Sequence, residues 1–160
     1  MEQEFIETFT TYGDAIFRFS LMKVSQVELA EDMTQEVFMR YWQYLRDDRE
    51  ITNCRALLYA IANNMAKDWY KKKKAESLDA HIVAGREPAE TGMDAEALAT
   101  YREVLEAAEG LDERDKEVVL LRFVEGLEPR DIAECLGETA NAVSVRLNRA
   151  AQKLRMHLHI

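Results

Sequence analysis

Apolar positions recur three and four residues apart along most of the chain, and the strict alternation expected of a half-buried strand is absent. Phe5, Phe9, Tyr12, Ile16 and Phe19 predict a first helix from about Glu4 to Lys23 with one apolar face. Met33, Val37, Tyr41 and Tyr44 do the same for a second, from about Gln26 to Leu45, and Ser25 with Glu28 has the spacing of a capping box in front of it. Thr52 or Asn53 can cap a third helix that runs to about Lys73, with Ala56, Leu57, Ala60, Ile61 and Met65 as its buried stripe. The pattern then stops. Residues 75–92 are polar and acidic and contain Gly85, Pro88 and Gly92, the composition of a linker. Helical periodicity resumes over Asp94–Glu109, closed by Gly110, and over Asp112–Glu125, closed by Gly126. Asp112 and Asp115 supply a cap and a favourable first-turn charge. The fold class is therefore all-α: two small helical domains, 1–74 and 93–160, joined by a flexible acidic linker at 75–92. Each core is small, so neither domain should be very stable alone.

The end of the second domain has a more specific pattern. Pro129 suits a first helical position, where no amide hydrogen bond is required. Ile132, Ala133 and Leu136 share a face, Gly137 can take the positive φ that ends a helix, and Thr139 can cap the next one. In that next helix Val143, Leu147, Ala150 and Leu154 form a buried side, leaving Asn141, Ser144, Arg146, Arg149 and Lys153 for other faces. Two short helices around a tight turn, the second carrying Asn, Ser, Arg and Lys, predict a helix-turn-helix able to enter the DNA major groove.

Charge sharpens the picture. The chain has 160 residues and a formal net charge of −9, which opposes nucleic-acid binding by the protein as a whole. Yet residues 67–74 and residues 139–160 each carry a net charge of +4. Two cationic patches in an acidic body predict weak DNA binding by the free chain, and a partner that covers the acidic surface. The two cysteines, Cys54 and Cys135, lie in partly apolar helical contexts and are expected as small core residues of a protein in a reducing, cytoplasmic compartment. No metal-ligand spacing and no nucleophile–base arrangement is present, and His81, His157 and His159 are assigned no metal or catalytic role; no cofactor, metal or enzymatic activity is expected. No apolar run approaches the roughly 20 residues of a membrane span, and the acidic N-terminus does not suit a signal peptide.

The third helix carries the other cationic patch. Asn64 and Asp68 stand one turn apart, with Asn63 and Lys67 on the adjacent ridge and Lys71 and Lys72 beyond. Asn can pair with a base edge, Asp can accept from an exocyclic amine, and Lys neutralises phosphate. Trp69 and Tyr70 offer faces on which unpaired bases could stack, or alternatively core packing.

Three segments together resemble the extracytoplasmic-function sigma factors of bacterial RNA polymerase. They are Ala30–Trp42 (AEDMTQEVFMRYW), Asn53–Tyr70 followed by four lysines, and Leu120–Leu127 leading into the helix-turn-helix. The resemblance covers nearly the whole chain outside the linker. It implies that Asp32, Gln35, Glu36 and Arg40 contact core RNA polymerase at its β′ clamp, with the β flap as a second contact. It implies that Asn63, Asn64, Lys67, Asp68, Lys71 and Lys72 read and help melt the promoter −10 element. It further implies that Asn141, Ser144, Arg146, Arg149 and Lys153 dock on the −35 element, and that an anti-sigma partner holds the protein inactive. The chain departs from the family's usual residues at Leu57, Asn63, Glu138 and Ser144, so a docking mode is implied and a promoter sequence is not. Two other classes stay open on the residues alone. A stand-alone helix-turn-helix regulator should bind duplex DNA without polymerase, and a protein-interaction adaptor should bind no DNA.

Overall fold

The structure, a computed structural model, describes residues 1–76 and 95–158. The chain divides into two compact units, Met1–Thr91 and Gly92–Ile160. The described residues are helical and contain no strand, as the all-α pattern predicts. Of the linker expected at 75–92, Ala75 and Glu76 continue the third helix, and the rest lies outside the described residues.

The first unit consists of α1 (Glu2–Val24), α2 (Val27–Arg46) and α3 (Cys54–Glu76), each packed on the other two. Ile16, Phe19 and Leu21 of α1, Val37 and Tyr41 of α2, and Leu58, Tyr59 and Ala62 of α3 are almost fully buried and form its core. Each large side chain removed from water contributes about 1.5–3 kcal/mol. The rings of Phe19 and Tyr59 meet edge to face, with centroids 5.3 Å apart. Asn53 caps α3, its Oδ1 accepting from the Ala56 amide at 3.0 Å.

Three local expectations are corrected here. Ser25 does not open α2 as a capping box. It closes α1 in a left-handed conformation (φ 57°), with its amide donating to the Leu21 carbonyl, and the N-cap of α2 is Gln26 without a side-chain bond. On α1, Phe9 is half exposed while Thr8, one residue earlier, is buried against the Tyr41 hydroxyl at 3.1 Å. On α3, Ala56 and Ile61 of the expected stripe are buried, but Leu57, Ala60 and Met65 are only partly so, and the inward face is centred on Leu58, Tyr59, Ala62, Asn63 and Ala66. Seven consecutive apolar residues, Ala56 to Ala62, cover every direction around that helix, so periodicity could not set its phase.

The second unit comprises α4 (Ala95–Ala107), a 3₁₀ turn (Ala108–Gly110), α5 (Glu113–Val119), a π-helical turn (Leu120–Val124), α6 (Pro129–Leu136) and α7 (Ala140–Leu158). The helix expected over Asp112–Glu125 is thus two pieces. In the π turn the Glu125 amide reaches the Leu120 carbonyl five residues back, and Arg122 donates to the Leu127 carbonyl at 3.1 Å. Val118, Val119, Leu121, Leu127, Ile132, Val143 and Ala150 are buried around this centre.

The helix-turn-helix is built as the sequence chemistry requires. Pro129 is the first residue of α6, and Gly137 ends it at φ 68° and ψ 31°. The Glu138 amide returns to the Ala133 carbonyl at 2.9 Å. Thr139 Oγ1 accepts from the Ala142 amide at 3.1 Å and opens α7. Val143, Leu147 and Ala150 then hold α7 by one side, which leaves the start of the helix open to solvent.

Candidate nucleic-acid and protein interfaces

Three surfaces carry the residues singled out by sequence. On α2, Asp32, Gln35 and Arg40 are exposed and Glu36 is partly exposed, so the four do share an outward face. Arg40 Nε donates to Glu36 Oε1 at 3.0 Å across one helical turn, an exposed pair of the kind worth about 0.3–0.5 kcal/mol. The charges therefore remain available to a partner at little cost. Beside them runs an apolar groove between α1 and α2, lined among others by Phe5, Ile6, Phe9, Phe38, Met39 and Trp42, with Gln35 on its edge. Phe9 packs its ring on Phe38 at 4.9 Å and Phe5 on Trp42 at 5.3 Å, while Ile6, Phe9 and Met39 are half or more exposed. Periodicity put Phe5 and Phe9 on one apolar face, and the partly open groove they form was not legible from it.

On α3, Asn64, Lys67, Asp68, Lys71 and Lys72 are exposed at spacings of three and four and form one continuous surface. Asn63 is not part of it. At 1% exposure it sits on the inward face between Tyr59 and Ala66, a consequence of the helix phase described above. Trp69 is half-buried and Tyr70 exposed, with their rings edge to face at 4.9 Å, so neither is a core residue. Lys73 Nζ lies 4.6 Å from the centre of the Trp69 ring, within cation–π range. The Tyr70 hydroxyl donates to the Lys23 carbonyl near the end of α1, which ties the base of the cationic surface to the bundle.

The residues predicted on α7 divide into two groups. Asn141 and Arg149 are exposed, with Ser144 half-buried beside them. Val145, Asn148 and Gln152, not singled out from the sequence, are also exposed on α7. Arg146, by contrast, is only 13% exposed in its side chain and turns toward α5. Its Nη1 donates to Glu138 Oε1 at 2.9 Å, and its Nε lies 4.0 Å from Asp115 Oδ1. Arg149 Nη2 donates to the same Asp115 oxygen at 3.2 Å, and Lys153 Nζ is 3.7 Å from Asp115 Oδ2. Asp115 itself is fully buried. The expectation that Arg146 projects to DNA like Arg149 is therefore corrected: Asp115 and Glu138 hold it against the body of the unit.

The Asp115 amide donates to Asp112 Oδ1 at 2.8 Å, which caps α5. This hydrogen bond, helped by the more distant Lys153 and Arg149 charges, holds the Asp112 carboxyl below its ordinary pKa. Burial acts in the opposite sense on Tyr41, whose phenol is pushed up to about 12 despite the hydrogen bond with Thr8. Cys135 is buried and Cys54 partly buried, and neither forms a disulfide. His81 and His159 lie outside the described residues. Among the described residues no group of three or more His, Cys, Asp or Glu side chains could hold a metal, and no helix is long and apolar enough to cross a membrane.

Comparison with known proteins agrees with this arrangement. The family described as "Sigma-70 region 2" matches residues 8–76, which include α2 and α3. The family described as "Sigma-70, region 4" matches residues 101–154, which include the helix-turn-helix. RfaY of Xanthomonas campestris pv. campestris is 27% identical over 98% of this chain. The ECF RNA polymerase sigma factor BldN of Streptomyces coelicolor is 28% identical over 89% of it. The chain spans only 41% and 56% of the lengths of those two relatives. The fold is shared with the sigma factor RpoE of Bartonella quintana, solved in complex with the anti-sigma factor NepR. That structure has a TM-score of 0.72 at 22% identity and covers 99% of this chain and 98% of that one. Both sigma regions are present and in order, which does not favour a stand-alone helix-turn-helix regulator, and the chain belongs to the sigma-70 family as an extracytoplasmic-function sigma factor.

Proposed function

We propose that this chain binds core RNA polymerase and directs it to a restricted promoter set, reading a −10 element with α3 and a −35 element with α7. The observation that carries this reading is the pairing of two exposed nucleic-acid surfaces in two separate units. Asn64, Lys67, Asp68, Lys71 and Lys72 form one, and Asn141, Val145, Asn148 and Arg149 the other. The α3 surface combines amide and carboxylate groups with lysines and a neighbouring Trp69 face, which suits unpaired bases on a phosphate backbone. The α7 surface presents an amide, a methyl-bearing side chain and a guanidinium from the start of a helix, the form of a major-groove reader.

Core polymerase docks on the α2 face through Asp32, Gln35, Glu36 and Arg40, with the adjoining apolar groove adding buried area. The β′ clamp is the partner for this face and the β flap for the second unit. The net charge of −9 explains why polymerase is needed before DNA is bound tightly. The protein works in the cytoplasm, without catalysis or a cofactor of its own, and an anti-sigma protein restrains it. Co-elution of the purified chain with bacterial core RNA polymerase on a sizing column tests the reading. A stable stoichiometric complex is expected, and failure of a folded, inhibitor-free chain to bind would overturn it.

A further inference from the structure

Asp115 occupies an unusual position. It stands in the first turn of α5, and its side chain is fully buried. Three cations of α7 converge on it, although the π turn and α6 lie between α5 and α7 in the sequence. Arg149 Nη2 is 3.2 Å from Oδ1, Arg146 Nε is 4.0 Å from the same atom, and Lys153 Nζ is 3.7 Å from Oδ2. The three lie at i, i+3 and i+7, one ridge of α7, where like charges would otherwise repel. A second acid, Glu138 in the turn, takes Arg146 Nη1 at 2.9 Å. Exposure grades along the ridge: the Arg146 side chain is 13% exposed, that of Lys153 47% and that of Arg149 56%.

We propose that Asp115 is a positioning residue for promoter reading: its buried carboxylate sets the azimuth of α7 and fixes one edge of the Arg149 guanidinium, so that the other edge is offered to DNA in a single orientation. This inference rests on the proposed function. The chemistry follows from the guanidinium itself, a rigid plane with five donors. One donor is satisfied by Asp115, while the side chain remains 56% exposed on a helix whose Val145 and Asn148 are also exposed. A side chain held in this way loses less conformational freedom on binding than one free in solvent, and that gain is specific to the base edge it faces. Arg146, largely buried and paired with both acids, acts as the hinge pin of the arrangement and not as a reader. Asp115 also lowers the positive charge of the ridge. Removing it should therefore strengthen indiscriminate phosphate binding while weakening discrimination, which loss of structure alone would not do.

The test uses the full chain reconstituted with core polymerase. Its probes are a duplex selected by the wild-type holoenzyme from a random pool and the same duplex with its −35 half scrambled. For Asp115→Asn, folded by circular dichroism, affinity for the scrambled duplex should rise several-fold and the slope of log affinity against log salt should steepen by about one. The preference for the selected duplex should fall roughly tenfold, the scale of one well-made base contact. The charge-balanced pair Asp115→Asn with Lys153→Gln relieves the repulsion left by the single change and covers the case in which that variant does not fold. In the pair the salt slope should return to the wild-type value while the preference stays low. A folded variant that keeps the wild-type preference, or a pair whose preference recovers along with its slope, overturns the positioning role. A wild-type holoenzyme that enriches no sequence overturns the proposed function, and this inference with it.

Discussion

The turn of the helix-turn-helix offers a perturbation whose cost can be worked out from geometry. Gly137 adopts φ +68°, and a Cβ built on it meets nothing within 4 Å. Gly137→Ala therefore adds no steric contact, and its cost is that of holding an L-residue in the left-handed region, about 1–2 kcal/mol. Gly137→Asn should cost less, since Asn tolerates this conformation and is used at helix ends for that reason. For a unit of this size the urea m-value is about 1 kcal/mol per molar, so the alanine variant should lose about 1–2 M in midpoint. The readout can be assigned to the right unit, because both tryptophans, Trp42 and Trp69, lie in the first one. Tryptophan fluorescence should give an unchanged transition, while far-ultraviolet circular dichroism should show a component moved to lower urea. An unshifted dichroism midpoint would contradict the left-handed assignment at Gly137. A loss above about 3 kcal/mol would mean a contact that the open space around Gly137 does not provide.

Other expectations follow from single side chains. The buried phenol of Tyr41 is pushed up to about 12 from an ordinary 10.0. Its neutral form thus contributes stability that is complete below pH 10 and is lost between pH 10 and 12. Wild-type urea midpoints should fall more steeply over that range than those of Tyr41→Phe, and parallel curves would refute the assignment. Asp32→Arg and Glu36→Arg should weaken core-polymerase binding at least tenfold in an anisotropy titration by placing like charge against the partner. Neither should change the dichroism spectrum, since the Glu36–Arg40 pair is solvent-exposed. Arg149→Ala should cost promoter binding about 1–3 kcal/mol, and it also removes the 3.2 Å bond to buried Asp115. Arg146→Ala should instead lower the stability of the second unit, because it removes a partner from Asp115 and Glu138. Equal effects of the two on both quantities would contradict the division drawn on α7.

What was legible in the sequence was local chemistry. Pro129, Gly137, Thr139, Asn53 and Asp112 each act within four residues of their own position, and each does in the structure what its side chain and neighbours suggest. The all-α fold and the shared exposure of Asp32, Gln35 and Arg40 followed from periodicity in a helix with a clear polar side. Periodicity failed where it carried no phase. The apolar run Ala56–Ala62 left α3 free to rotate in the reading, and Asn63 was placed outside when it lies inside. Ser25 has the composition of an N-cap, yet the reversal between α1 and α2 uses it in a left-handed conformation instead. The convergence of Arg146, Arg149 and Lys153 on Asp115 joins positions 31 to 38 residues apart, a separation that helical spacing cannot report. The bond from Arg146 to Glu138 spans eight residues across the turn, which helical spacing does not report either.

The most direct test of promoter-directed initiation is run-off transcription by core RNA polymerase on a pool of bacterial genomic fragments, with and without this chain. Discrete transcripts that depend on the chain, and that disappear with Asp32→Arg, are the expected result. Transcript patterns identical to those of core enzyme alone, from a preparation shown to be folded, would contradict it.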